Sequence, residues 1–289
     1  AYSSLRELLY EDSGYRRPAS GLERTIKMAT AQDLKKFHSM YYVPNNTTIS
    51  IVGDVTVQDA VKRVEIAFAG ARQATLPVSR GMPNEKLGRS RYRATEVELP
   101  MAYLMLGWLA PGIGDPDYPA VAVAANALGG GKGSMMFQEL RQKRGMGYDV
   151  GTRYPKLRYQ SHVIAYIFTD PFKLAFPSMT PTMVLDDTRA ALVEQVGLLK
   201  SQPLSDNDLE RAKGYTIGTY ALQQQGLMDR AFNLAWLETV GVGYEFDSRF
   251  EELVSKLTAE DIQKAAQKYF SDYAAVLLLP KTASPPSGG

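Results

Sequence analysis

The sequence predicts an α+β fold that contains an internal duplication. Two observations carry that expectation. Residues 30–42 (TAQDLKKFHSMYY) and 258–270 (TAEDIQKAAQKYF) repeat one pattern at an offset of 228 positions. Each copy opens on Thr–Ala, then Gln or Glu, then Asp: an N-cap with acidic groups placed for the helix dipole. Each ends in paired aromatics and leads through a polar turn to an aliphatic or β-branched run, at 47–52 and 275–279. Second, helical and strand periodicities alternate between residues 96 and 280, so that stretch reads as mixed α and β.

The elements follow in order. Val57, Val61, Val64 and Phe68 mark one face of a helix. Residues 70–95 are rich in Arg, Pro and Gly, with Arg72, Arg80, Lys86, Arg89, Arg91 and Arg93, and read as a solvated basic linker. Residues 96–99 and 102–109 have strand character. A helix over 116–128 is opened by Asp115 or Asp117 and stopped by Gly129, Gly130 and Gly131. A second helix, 134–144, ends at Gly145. Residues 148–154 and 159–168 form a hairpin around 155–158. A helix over 182–200 buries Val184, Leu185, Leu192, Val196 and Leu199. Ser205 and Asp208 give a capping-box-like start to a long helical region towards Val240, which Gly214, Gly218 and Gly226 should weaken or break. Residues 283–289 read as a disordered tail.

The duplication sets the expected domains. Residues 1–69 are the C-terminal part of a first unit, 70–95 the linker, and 96–282 a complete second unit. A first unit of equal length would begin well before Ala1, and a start on Ala rather than Met leads us to expect a processed or cut N-terminus. The incomplete first unit should expose apolar surface, and self-association of the chain would follow.

Composition excludes several function classes. The chain has 289 residues, 45% of them hydrophobic, enough for a large core. Its 33 Lys+Arg against 31 Asp+Glu argue against nucleic-acid binding, which needs a basic excess. No apolar run approaches the ~18 residues that span a bilayer. With no cysteine there are no disulfides, thiolate nucleophiles or Cys–zinc sites. The two histidines, His38 and His162, lie far apart in unlike contexts, so no catalytic metal site is expected.

Several candidate motifs reduce to ordinary structure. GGGKGS at 129–134 fails the phosphate-loop spacing and follows a helix, so it reads as a helix cap and connector, or as a mobile loop that touches an extended substrate. His38 reads as a helix-terminal surface residue and His162 as a hydrogen-bonded strand residue. Glu139, Asp149, Asp186 and Asp187 read as solvated charges. Arg141 and Tyr148, seven residues apart across a Gly–Met–Gly turn in LRQKRGMGYDV, differ only when taken together. Arg donates several hydrogen bonds to carbonyl oxygens without losing its charge, and a phenol donates to an oxyanion. Spacing lets them converge on one point, but spacing alone favours a structural role.

Four stretches resemble the pitrilysin and mitochondrial-processing-peptidase superfamily of zinc peptidases, the inverted HxxEH group. GYRRPASGLERTIKMATAQDLKKFHSMYYVPNNTTISIVGDV is similar to the close of the family's first domain. DPDYPAVAVAANALGGGKGSMMFQELRQKRGMGYDV is similar to the opening of its second. LSDNDLERAKGYTIGTYALQQQ and LTAEDIQKAAQKYF follow in family order.

The resemblance implies a duplicated two-layer α/β unit of the LuxS/processing-peptidase-like metallohydrolase fold, a mostly antiparallel sheet with helices on one face. It implies a clamshell closing on an unfolded peptide. The zinc would lie in a missing domain or partner subunit bearing HxxEH. Arg141 and Tyr148 match the R-x6-Y pair of the inactive half: Tyr148 would stabilise the tetrahedral intermediate and Arg141 hold a neighbouring carbonyl. HxxEH is absent here, so the chain alone should be inactive. The same fold serves structural core-type subunits, the alternative role. By the same resemblance the compartment would be a Gram-negative periplasm or an organelle.

Overall fold

The computed structural model describes residues 1–78, 81–174 and 179–281. The tail expected at 283–289, and Arg80 of the basic stretch, lie outside them. Contacts divide the chain into two compact units. One holds Ala1–Arg16, Met82–Gly218 and Phe250 onward; the other holds Arg17–Gly81 and Thr219–Arg249. The first sixteen residues thus join the later part of the chain.

In chain order the helices are α1 (Tyr2–Leu9), α2 (Glu23–Met28), α3 (Ala31–Tyr41), α4 (Val57–Phe68), α5 (Tyr118–Gly129), α6 (Pro171–Leu174), α7 (Pro181–Ser201), α8 (Asp206–Leu222), α9 (Leu227–Val240), α10 (Phe246–Ser255) and α11 (Ala259–Tyr269). The strands are β1 (Arg91–Val97), β2 (Ala102–Ala110), β3 (Asp149–Arg153), β4 (Ser161–Thr169) and β5 (Ala274–Pro280). The segment Phe137–Lys143 is π-helical.

The strands form one sheet in the order β1-β5-β2-β4-β3. β1 pairs with β5 in parallel and every other pair is antiparallel. One face carries Leu104, Leu106 and Trp108, all buried, with Trp108 against Phe270 at 5.6 Å between ring centroids. There α5, α7 and α11 pack on one another, with α11 against β2 and α5 against β3. All five apolar residues expected on the inner face of α7 are buried.

The opposite face is covered in part by α1. Leu5, Leu9 and Tyr10 pack with Met105, Leu109, Ile164 and Val276. Gly107 lets the helix approach: a Cβ there would lie 3.0 Å from a methyl of Leu5 and 3.0 Å from one of Leu9. Two tyrosines fasten the region to β4. The Tyr2 hydroxyl lies 3.0 Å from His162 Nε2, and the Tyr10 hydroxyl 2.8 Å from His162 Nδ1. Burial pushes the His162 pKa down to about 3, so the ring stays neutral between its partners.

The two copies of the repeat form matching helices. α3 and α11 have the same length, 228 positions apart. Both carry a complete capping box, Thr30 with Asp33 and Thr258 with Asp261. Their surroundings differ. α11 buries Ile262, Ala265 and Ala266, whereas nothing on α3 is buried.

Three expectations need correction. Residues 47–52 form no strand, although the matching β5 does: a strand exists only through pairing, and no described segment pairs with 47–52. The linker expected through residue 95 is already strand from Arg91, because Arg91–Val97 lie alongside Ala274–Pro280. Gly214 and Gly218 do not break α8; the helical region divides once, before α9, whose N-cap is Gly226. A helix flanked by buried Leu209, Ala212 and Thr216 absorbs the ~1 kcal/mol that each interior glycine costs.

Candidate functional site

Arg141 sits on the π-helical segment Phe137–Lys143. Its wider turn shows in the Arg144 N–H, which donates to the Glu139 carbonyl five residues back at 3.0 Å. Such turns are rare and concentrate at functional sites. Charges hold the segment in place. The Glu139 carboxylate accepts from Lys143 Nζ at 2.9 Å and Arg144 Nε at 3.0 Å, and these hydrogen bonds keep it below the usual carboxylate range. Arg144 also reaches Glu194 on α7 at 2.7 Å. Glu139 is therefore a structural ion-pair partner, not a solvated charge.

A tight turn links the segment to β3. Gly145 has φ +63°, and the Met146 N–H donates to the Leu140 carbonyl at 2.7 Å. A Cβ on Gly147 would lie 2.6 Å from Ile167, so only glycine brings the chain this close to β4. The Tyr148 N–H then donates to the Phe168 carbonyl at 2.9 Å, which fixes where Tyr148 emerges.

Arg141 and Tyr148 are brought together. Arg141 Nη1 donates to the backbone carbonyl of Tyr148. Its guanidinium lies 5.2 Å from the centroid of the Phe137 ring, one helical turn away. Both residues are exposed, Tyr148 by 46%. A guanidinium steadied by a ring and a phenol at the head of an edge strand can together donate to peptide carbonyls.

The glycine run lies against α8 rather than standing free. The Gly130 N–H caps α5 through the Asn126 carbonyl at 2.7 Å, and the run packs on the Tyr215 ring and the Arg211 stem. Asn126 also bonds Thr216 on α8 at 2.9 Å.

The histidines do not converge. His38 stacks on Tyr42, with centroids 4.8 Å apart, while both nitrogens of His162 face tyrosine hydroxyls. Among the described residues no three His, Cys, Asp or Glu side chains are grouped to hold a metal ion.

Beside Tyr148 the sheet carries a group of aromatics that periodicity did not single out. Tyr103 on β2 stands opposite Phe168 on β4, with rings stacked 4.1 Å apart, and Tyr166 lies 6.2 Å from Tyr103. The sequence signal was available: these rings interrupt an otherwise buried aliphatic alternation on β2 and β4.

Comparison with known proteins gives this geometry a setting. A family model described as "Peptidase M16 inactive domain" matches residues 29–215. An uncharacterized zinc protease of Streptomyces coelicolor is 26% identical over 272 residues, covering 90% of this chain and 55% of the relative. The crystal structure of a peptidase M16 inactive domain from Pseudomonas fluorescens superposes with a TM-score of 0.81 at 22% identity, over 99% of this chain and 66% of that one. A chain of complex III from Candida albicans superposes with a TM-score of 0.78 at 14% identity, over 96% of this chain and 65% of that one. The chain therefore spans less than two thirds of each of these proteins. The relative's name implies zinc, but the described residues do not fit it: both nitrogens of His162 are engaged, and among the described residues His38 has no acidic or imidazole cluster around it.

Proposed function

This chain belongs to the family described as the peptidase M16 inactive domain, and from that premise we propose that it is the non-catalytic, substrate-binding portion of a zinc metalloendopeptidase. Arg141 and Tyr148 hold the backbone of an unfolded peptide. Tyr148 donates to the oxyanion of the tetrahedral intermediate, and Arg141 grips a neighbouring carbonyl. The zinc and its activated water belong to an HxxEH-bearing domain or subunit, and no metal chemistry is assigned to residues of this chain.

One observation carries the reading: Arg141 already donates to a peptide carbonyl, that of Tyr148. That bond keeps the guanidinium beside Tyr148, and its other N–H groups are the donors a substrate carbonyl would use. The need for a partner is supported by the apolar stripe of α3, where Leu34 and Phe37 are 65% and 55% exposed.

The test is reconstitution with the zinc-bearing domain or subunit. The chain alone should not hydrolyse peptides. In the complex Tyr148→Phe should lower kcat about 100-fold, the scale of losing one oxyanion donor; an unchanged rate overturns the assigned role. The likeness to the complex III chain favours a second reading, a structural core-type subunit with no peptidase role. Co-purification with membrane and redox subunits, without peptide hydrolysis by the assembly, would select it.

A further inference from the structure

The end of the sheet far from Arg141 and Tyr148 holds a cleft of about 860 Å³, a volume typical of small-molecule sites. Its walls are residues 84–88, the end of β2 with the loop that follows, residues 158–160, and the end of α11 with the residues leading to β5. All belong to one compact unit. Tyr148 is bonded to Phe168, near the last residue of β4, whereas Gln160 stands just before the first. Eight steps along the strand, about 27 Å, therefore separate the cleft from the pair.

We infer that this cleft binds a small dipolar molecule that carries both a carboxylate and an ammonium group: a free amino acid, or a short peptide with both ends unblocked. The inference is independent of the role given to Arg141 and Tyr148.

The walls are fastened to one another. The Gln160 amide accepts from the Glu85 N–H at 2.7 Å and donates to the Glu85 carbonyl at 3.0 Å. The Glu85 carboxylate accepts from the N–H groups of Glu11, Asp12 and Ser13. The Ile113 N–H donates to the Leu157 carbonyl at 2.8 Å, and a Cβ on Gly112 would lie 2.7 Å from the Arg158 carbonyl, so only glycine lets these two loops meet. Asp117 accepts from Lys268 Nζ at 2.6 Å and from the Tyr269 hydroxyl at 2.8 Å, which ties the β2–α5 loop to the end of α11. Buried Leu87, Leu109 and Ala110 add apolar lining. The cleft is thus formed in advance of any ligand.

Charge argues for the occupant. Bonds within the frame already engage Glu85, Asp117 and Lys268. Among the described residues Lys86, Arg158, Asp115 and Asp272 line the cleft and take part in no ion pair. The two signs are segregated. Lys86 follows Glu85 and Arg158 stands two residues before Gln160, so the Glu85–Gln160 bonds bring both cations to one wall. Asp115 stands two residues before Asp117 and Asp272 three after Tyr269, so the Asp117–Tyr269 bond brings both carboxylates to another. α11 ends at Tyr269 on that acidic wall, and a helix C-terminus favours a cation. A purely anionic ligand would meet Asp115 and Asp272, and a purely cationic one Lys86 and Arg158, so a molecule with one charge of each sign is selected.

The experiment is calorimetric titration of the full chain with alanine, with tri-alanine, and with tri-alanine acetylated at its N-terminus or amidated at its C-terminus. Alanine or tri-alanine should bind with a Kd below about 1 mM, and which of them binds identifies the source of the dipole. Where tri-alanine binds, acetylation and amidation should each weaken it roughly tenfold or more; where alanine binds, N-acetylalanine and alaninamide take their place. Arg158→Ala and Asp272→Asn should each weaken binding about fivefold. Both side chains are exposed and outside the bonds of the frame, so the melting temperature should not move. Tyr148→Phe should leave the affinity unchanged. Absence of binding by both unblocked probes overturns the inference, as does an affinity indifferent to either block, or one that survives both substitutions.

Discussion

Leu34 and Ile262 hold the same place in the two copies of the repeat, yet Leu34 is 65% exposed and Ile262 is fully buried. The contrast continues along both helices: Phe37 is exposed where Ala265 is buried, and Tyr42 where Phe270 is buried. α11 rests on α5, α7 and β2. Identical caps and similar periodicity thus produce two helices of equal length in unlike surroundings, and burial rather than helix formation separates them.

Replacing Leu34 and Phe37 by Ser should therefore change stability by less than about 0.5 kcal/mol while reducing self-association. Ile262→Ala should cost about 2–4 kcal/mol. Denaturant titration and sedimentation velocity check both. Equal losses at Leu34 and Ile262 would show that α3 is covered in solution.

Arg141 and Tyr148 should behave as a coupled pair. Arg141→Ala removes a carbonyl donor and also frees the Tyr148 backbone it holds. In the reconstituted peptidase the single losses from Arg141→Ala and Tyr148→Phe should exceed additivity when summed, with the double variant little worse than the poorer single. A fully additive cycle in kcat/KM would separate the two roles.

His162 should make the fold acid-sensitive in a defined window. Its folded pKa, about 3, lies below the ordinary imidazole value of 6.5, so the unfolded chain binds the extra proton between those values. Stability contributed by the neutral ring is full above about pH 6.5 and is lost progressively towards pH 3. The melting temperature should fall more steeply over that range than in His162→Gln. Parallel curves would mean that the ring is not buried neutral.

Gly107→Val should cost about 1–3 kcal/mol by crowding Leu5 and Leu9, which already lie at contact distance. Because the strain falls on α1, limited proteolysis between residues 11 and 16 should accelerate. Unchanged melting and cleavage would show that α1 does not rest on β2.

Much of this was legible in the sequence because it is local. Thr–Ala–Gln/Glu–Asp predicted both N-caps, and spacing alone located Val184, Leu185, Leu192, Val196 and Leu199 on the buried side of α7. The spacing of Arg141 and Tyr148 across a glycine turn anticipated that the two residues approach one another. What stayed hidden depends on distant partners or on hydrogen-bond closure. A π turn has the same composition as an α turn, so the form of the Phe137–Lys143 segment was not readable. Residues 47–52 have strand propensity, but no described neighbour pairs with them. The neighbourhood of Tyr103 and Phe168 follows from the β2–β4 register, which no single segment encodes.

The position of β5 bears on how this molecule is made. β5 lies between β1 and β2, yet it is the last of the five strands to leave the ribosome. Until then β1 has no partner and one edge of β2 stands open, with its buried-to-be Leu104, Leu106 and Trp108 already synthesised. The sheet is sealed by a wedge that arrives from behind, so the nascent chain carries a sticky edge throughout translation. A chain ending a few residues before Ala274 would leave β1 unpaired and that edge of β2 open.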